Sequence, residues 1–121
     1  MTKNPLLNKT LSLVAFYGYG VFVALVSLQP IDSVTVGQWD KLAHFVTYGL
    51  FALLAKGLST TVGAYGWYCV GAIAYGCLME VGQSFVPGRF MSLGDVVANT
   101  AGVLVVGLVV RKWCFTATKT R

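Results

Sequence analysis

Two short stretches of the chain hold most of the side chains able to do chemistry. In the first, Asp40, His44 and Tyr48 recur every fourth residue with Lys41 beside them; in the second, EVGQSFVPGRFMSLGDVVANTAG from Glu80 to Gly102, come Glu80, Gln83, Arg89, Asp95 and Asn99. The chain has only 4 acidic residues and 1 histidine, so three of its acids and its histidine fall in these stretches. An imidazole near carboxylates is the equipment of proton transfer: His44 and Glu80 exchange protons, Asp40 orients the ring, and Asn99 and Arg89 stabilise developing negative charge. The same residues suit binding instead, with Lys41 and Arg89 on a phosphate or carboxylate and Tyr48, Gln83, Asp95 and Asn99 completing the ligand contacts. Asp40, His44, Glu80 and Asp95 also offer oxygen and imidazole ligands to a divalent metal. No HExxH pair or second histidine supports that alternative, so neither a metal nor a cofactor is expected.

What positions these residues is set by composition. Hydrophobic residues make up 56% of the 121 residues and charged residues 11%, with a mean hydropathy of +0.71. That balance is of a membrane protein. About 20 apolar residues cross a hydrocarbon core of about 30 Å. Uncharged runs over 10–31, 62–79 and 96–110 predict helices over roughly 11–28, 62–83 and 92–110, the first ended by Pro30 and the last opened by Ser92. A further helix over 40–58 requires Asp40 at one interface and Lys56 snorkelling to the other. The first apolar run is too long for a signal-peptide core and lacks a small-x-small cleavage site, so a span is expected there. The fold class is thus an all-α membrane protein, a compact four-transmembrane-helix bundle forming one domain over 1–121.

Four spans put Lys3, Lys9, Lys56, Arg111, Lys112, Lys119 and Arg121 on one side, and Lys41, Arg89, Asp32, Asp40, Glu80 and Asp95 on the other. The sides carry +7 and −2, which together give the net +5. By the positive-inside bias both termini are cytoplasmic, and the net charge is an orientation signal rather than a nucleic-acid footprint. Trp39, Tyr65, Trp67, Tyr68 and Trp113 fall near helix ends and are expected at the interface. Cys69 and Cys77 stand eight residues, or about 12 Å of helix, apart, which is beyond disulfide reach.

On helices, Asp40, His44 and Tyr48 form one stripe, Glu80 and Gln83 a second, and Asp95, Asn99 and Gly102 a third. An ionisable group facing lipid costs about 2.5–3.5 kcal/mol, so the stripes should face one another or a wet cavity. Simpler roles compete. Ser92 to Asp95 reads as a capping box, Asp40 as a helix-opening acid, Gly102 as a point of close helix approach, and Phe85 to Arg89 as a turn with Arg89 above the stripes. Glu80 breaks a rule, because a carboxylate in the last turn of a helix opposes the macrodipole; Arg89, Lys41 or His44 is its expected partner.

Taken in order, Asp40-Lys41-x-x-His44-x-x-x-Tyr48, Glu80-x-x-Gln83-x-Phe85-x-Pro87-Gly88-Arg89 and Ser92-x-x-Asp95-x-x-x-Asn99-x-x-Gly102 resemble the VanZ-like family, named for a teicoplanin-resistance protein; the likeness covers roughly 37–107. The resemblance implies a multi-pass protein of the bacterial cytoplasmic (inner) membrane with a link to the cell envelope and to glycopeptide tolerance. The expected function is to bind or modulate an anionic envelope lipid, for example an undecaprenyl-linked peptidoglycan precursor, at an outer-leaflet polar cluster. Two alternatives stand: an intramembrane hydrolase or transferase using His44 and Glu80, and a structural network whose role lies in partner contacts. Membrane lipids, and not nucleic acid, are the expected partners.

Overall fold

A computed structural model describes residues 4–30 and 39–116. The cations Lys3, Lys119 and Arg121 and the acid Asp32 lie outside them. Four helices follow in order: α1 Pro5–Ser27, α2 Trp39–Ala55, α3 Val62–Gln83 and α4 Leu93–Val110, with a short 3-10 turn at Lys56–Leu58 and a π-helical turn at Arg111–Phe115. Three stretches, Pro5–Ser27, Val62–Gln83 and Leu93–Phe115, are long and apolar enough to cross a membrane. At 17 residues α2 is shorter, rising about 25 Å.

The first helix begins six residues before the expected Leu11. The side chain of Asn4 accepts the N–H groups of Leu6 and Leu7 and Pro5 occupies the first turn, a start signal that outweighs the charge of Lys9. At the other end the Leu28 N–H closes on the Ala24 carbonyl before Pro30. α3 starts where Thr61 accepts the Ala64 N–H at 3.1 Å.

α2 packs against all three other helices, most closely against α4. The reason lies in two glycines. A Cβ on Gly102 would overlap the Phe45 carbonyl oxygen and lie 3.1 Å from the Gly49 nitrogen, and one on Gly49 would meet Val106 at 2.9 Å. Backbone therefore rests on backbone, as small residues permit in membrane bundles. The core gathers Val23, Tyr48, Phe51, Ala52, Ala72 and Val103, with the Phe51 ring 4.7 Å from Tyr19 and 5.5 Å from Tyr75 between centroids.

Outward, apolar side chains face away from the bundle on every helix, among them Leu6, Leu53, Leu78 and Leu104. Trp39, Trp67 and Trp113 are exposed near helix ends as expected of interfacial rings. Tyr65 is not. It is buried, and its hydroxyl donates to the Ala52 carbonyl at 2.7 Å, because its position on α3 faces α2 rather than lipid. Cys69, Cys77 and Cys114 are free thiols.

Candidate functional site

The start of α2, the end of α3 and the start of α4 meet at one end of the bundle, and the three polar stripes converge there. Glu80, Asn99, Asp95 and Gln83 are buried, Glu80 to 1% exposure. Glu80 sits in the last turn of α3, yet its Oε2 accepts the backbone N–H of Ser92 at 3.2 Å, and Ser92 is the N-cap of α4. The carboxylate opposes its own helix dipole but faces the positive end of the next one. That offsets the conflict seen in the sequence.

Ser92 joins the three helices. Its Oγ accepts the Asp95 N–H at 3.3 Å, the first half of a capping box. The second half is taken from another helix: Glu80, not Asp95, reaches the N-cap N–H. The Asp95 carboxylate is thereby released to pair with the Lys41 ammonium, which also donates to Ser92 Oγ at 3.4 Å and lies 3.8 Å from Asp40. From sequence Ser92 reads only as a cap; the signal for more is its place opposite an acid that its own helix end disfavours. Ser92→Ala is expected to lower stability by about 1 kcal/mol, read as a lower thermal midpoint in detergent, with Ser92→Thr near wild type.

His44 stands at the centre. Its Nδ1 is 2.8 Å from Asn99 Oδ1; an amide oxygen only accepts, so Nδ1–H donates. The same nitrogen is 3.9 Å from Glu80 Oε1, while Nε2 faces Asp95 at 3.5 Å and Asp40 at 3.8 Å. Of the partners expected for Glu80, His44 is adjacent and Arg89 is not. Asn99 Nδ2 is buried without a hydrogen-bond partner among the described residues, close to where a Cβ on Gly76 would stand. Such an unpaired donor costs about 1–3 kcal/mol and calls for an explanation in function or bound water.

A cavity of about 230 Å³ opens between α1 and α2, with Asp40, His44, Tyr48, Gln83 and Arg89 on its wall. Tyr48 forms its buried floor beside Gly76. Gln83 Nε2 donates to the Ser27 carbonyl at 3.1 Å. Arg89 does not hang free above the stripes: its Nε donates to Gln29 O at 2.7 Å and a terminal N–H to Val26 O at 3.1 Å. These are carbonyls that the end of α1 leaves without helical partners. The turn carrying Arg89 depends on Gly88, whose φ of 78° favours glycine. Lys41, Asn99 and Asp95 are not among the residues lining this cavity.

Asp40, His44 and Asp95 each offer a ligand atom within 4.8 Å of the others, a spacing that a divalent cation can span. Glu80, the fourth residue of that alternative, is directed to Ser92, and the Lys41 ammonium supplies positive charge between Asp40 and Asp95.

Membrane-length helices closed around a buried acid, histidine and amide cluster define a multi-pass membrane protein with a polar site at one end of its bundle. The VanZ/LLP1 family model matches residues 2–115, and the chain belongs to that family. No curated protein and no solved structure matches it significantly.

Proposed function

We propose that this membrane protein binds the headgroup of an anionic lipid of the bacterial envelope at its polar end and modulates access to that lipid. The observation that carries this reading is the cavity of about 230 Å³ between α1 and α2. Its wall combines the cationic Arg89 with the acceptors of Asp40 and the polar groups of Tyr48 and Gln83. A diphosphate bearing sugar hydroxyls and amines complements both charges, as in an undecaprenyl-linked peptidoglycan precursor. Arg89 spends two of its five N–H donors on the Val26 and Gln29 carbonyls, so it presents a fixed cation. In this reading α2 crosses the inner membrane with the others. Lys56, Arg111 and Lys112 mark the cytoplasmic end, both termini are cytoplasmic and the site faces outward. Tolerance of teicoplanin would follow from altered precursor access.

Native mass spectrometry of the full chain tests this. Undecaprenyl diphosphate is expected to be retained at least about tenfold more tightly than phosphatidylglycerol, a ratio that one or two charge-assisted hydrogen bonds supply, and Arg89→Ala removes the preference. Equal retention of both lipids would sink the reading.

A second reading rests on His44, fixed through Nδ1 on Asn99 and facing carboxylates with Nε2: hydrolysis or transfer on the same lipid, with His44 and Glu80 moving the proton. In the same spectra, turnover appears as mass loss from the bound lipid that His44→Gln abolishes.

A further inference from the structure

A second recess lies at the other end of the bundle, between two of the membrane-length helices. A groove of about 230 Å³ runs along the seam of α3 and α4, from Val62 and Arg111 at the bundle's end to Ile73 and Val103 within it. Its floor is closed. Tyr65 and Val103 are buried, and a Cβ on Gly107 would stand 3.4 Å from the Cys69 sulfur. Its rims are open, with Val62, Val70, Leu104 and Leu108 exposed. Between Val62 and Val70, one helical turn from each, Gly66 leaves a gap in the rim, and a Cβ there meets no heavy atom within 4 Å. From Val62 to Ile73 the groove extends about 16 Å, the depth of one leaflet, which is half of a hydrocarbon core of about 30 Å.

Chemistry divides the groove along its length. Short of Arg111, and apart from Tyr65 and Cys69, the side chains lining it are aliphatic or absent. The Tyr65 hydroxyl is already spent, since it donates to the Ala52 carbonyl. Arg111 ends the groove and is the one charged residue among those described that line it. Its charge is uncompensated. Asp40, Glu80 and Asp95, the acidic side chains among the described residues, all belong to the polar end, whereas Lys56 and Lys112 share the end that holds Arg111. Lys56 rests over the Phe115 ring, 4.6 Å from its centroid, and no described residue accepts from the Arg111 guanidinium. A planar guanidinium with its donors free takes a phosphate through two parallel hydrogen bonds. An apolar slot one leaflet deep with such a cation at its mouth has the shape and charge of a phospholipid in negative.

We infer that the α3–α4 groove is a binding site for an anionic glycerophospholipid such as phosphatidylglycerol, with one acyl chain along the groove and the phosphate on Arg111. The site is independent of the polar cavity, with which it shares no lining residue. Arg111→Gln removes the charge, and Arg111→Lys keeps the charge without the planar fork. Gly66→Leu closes the gap in the rim and obstructs the chain. Gly71, equally open and not part of this groove, gives the control Gly71→Leu on the same helix.

The full chain in detergent is titrated with phosphatidylglycerol and with phosphatidylethanolamine of the same chains, and followed by native mass spectrometry. Wild type, Gly71→Leu and Arg89→Ala are expected to hold phosphatidylglycerol about fivefold more tightly than phosphatidylethanolamine, the worth of one cation near a membrane surface. Arg111→Gln and Gly66→Leu lose that factor, and Arg111→Lys recovers part of it. Glycerol phosphate, which has the headgroup chemistry but no chain, does not displace the lipid. Equal retention of both lipids by wild type, or a preference undiminished in either Arg111→Gln or Gly66→Leu, overturns the inference. So does a preference lost in Arg89→Ala and kept in Arg111→Gln, which would put the lipid in the polar cavity instead. If Gly66→Leu splits a dimer while the preference persists, a second copy of the chain covers the groove and the inference is wrong.

Discussion

Glu80→Ala is expected to lower the stability of the protein in detergent by about 2–5 kcal/mol. The side chain is 1% exposed, so truncation leaves a cavity that the three surrounding helices can close only partly. It also strips the Ser92 N–H of its acceptor at 3.2 Å and removes the carboxylate beside His44. Because Ser92 caps α4 and its Oγ meets Lys41, the loss spreads to the Lys41–Asp95 pair. Glu80→Gln separates fold from function. It keeps an oxygen for the Ser92 N–H and nearly the same volume, so its unfolding midpoint should stay within about 1 kcal/mol of wild type. If lipid retention falls with the fold intact, the charge serves binding or proton transfer; if retention and midpoint move together in both variants, the cluster is a structural network. Chemical or thermal unfolding read alongside lipid binding decides between them.

Glu80 also shows how far sequence reaches. Its conflict with the α3 dipole was visible, and the converging stripes followed from periodicity and the cost of charge in lipid. The resolution was hidden, since the acceptor is satisfied by a backbone amide, and amides carry no sequence signature. Arg89 failed to follow expectation for a related reason. The turn around Gly88 was legible, but which helix end stood nearby with carbonyls to satisfy was not, and α1 supplied it. The early start of α1 is written in Asn4-Pro5, although Lys9 interrupts the uncharged run there. Tyr65 had the amphipathic ring of an interfacial residue, and only the packing of α3 on α2 decided that it turns inward. Gly102 is legible as a contact point, whereas its counterpart Gly49 gives a fainter sign. A glycine inside a helix costs about 1 kcal/mol relative to alanine, and that cost is itself a hint of close approach.

The Gly49–Gly102 contact carries the other large expected effect. Gly102→Ala puts a methyl onto the Phe45 carbonyl oxygen, 3.0 Å from its carbon and 3.1 Å from the Gly49 nitrogen. The obstacles are backbone atoms of a packed helix, so no rotamer change relieves them and α2 must move away from α4. The expected cost is about 1–3 kcal/mol for overpacking, which outweighs the gain of about 1 kcal/mol in helix propensity; Gly102→Val should cost more. Gly63→Ala, whose Cβ meets nothing within 4 Å, isolates the propensity term and should leave the unfolding midpoint unchanged or raised. The displacement also reaches the site, because His44 precedes Phe45 and Asn99 lies three residues before Gly102. Separating the helices lengthens the 2.8 Å contact between His44 and Asn99, so Gly102→Ala should weaken lipid retention although Gly102 touches no ligand. A Gly102→Ala protein that unfolds like wild type would mean that α2 and α4 do not meet backbone to backbone, and the alignment of His44 with Asn99 would then need another cause.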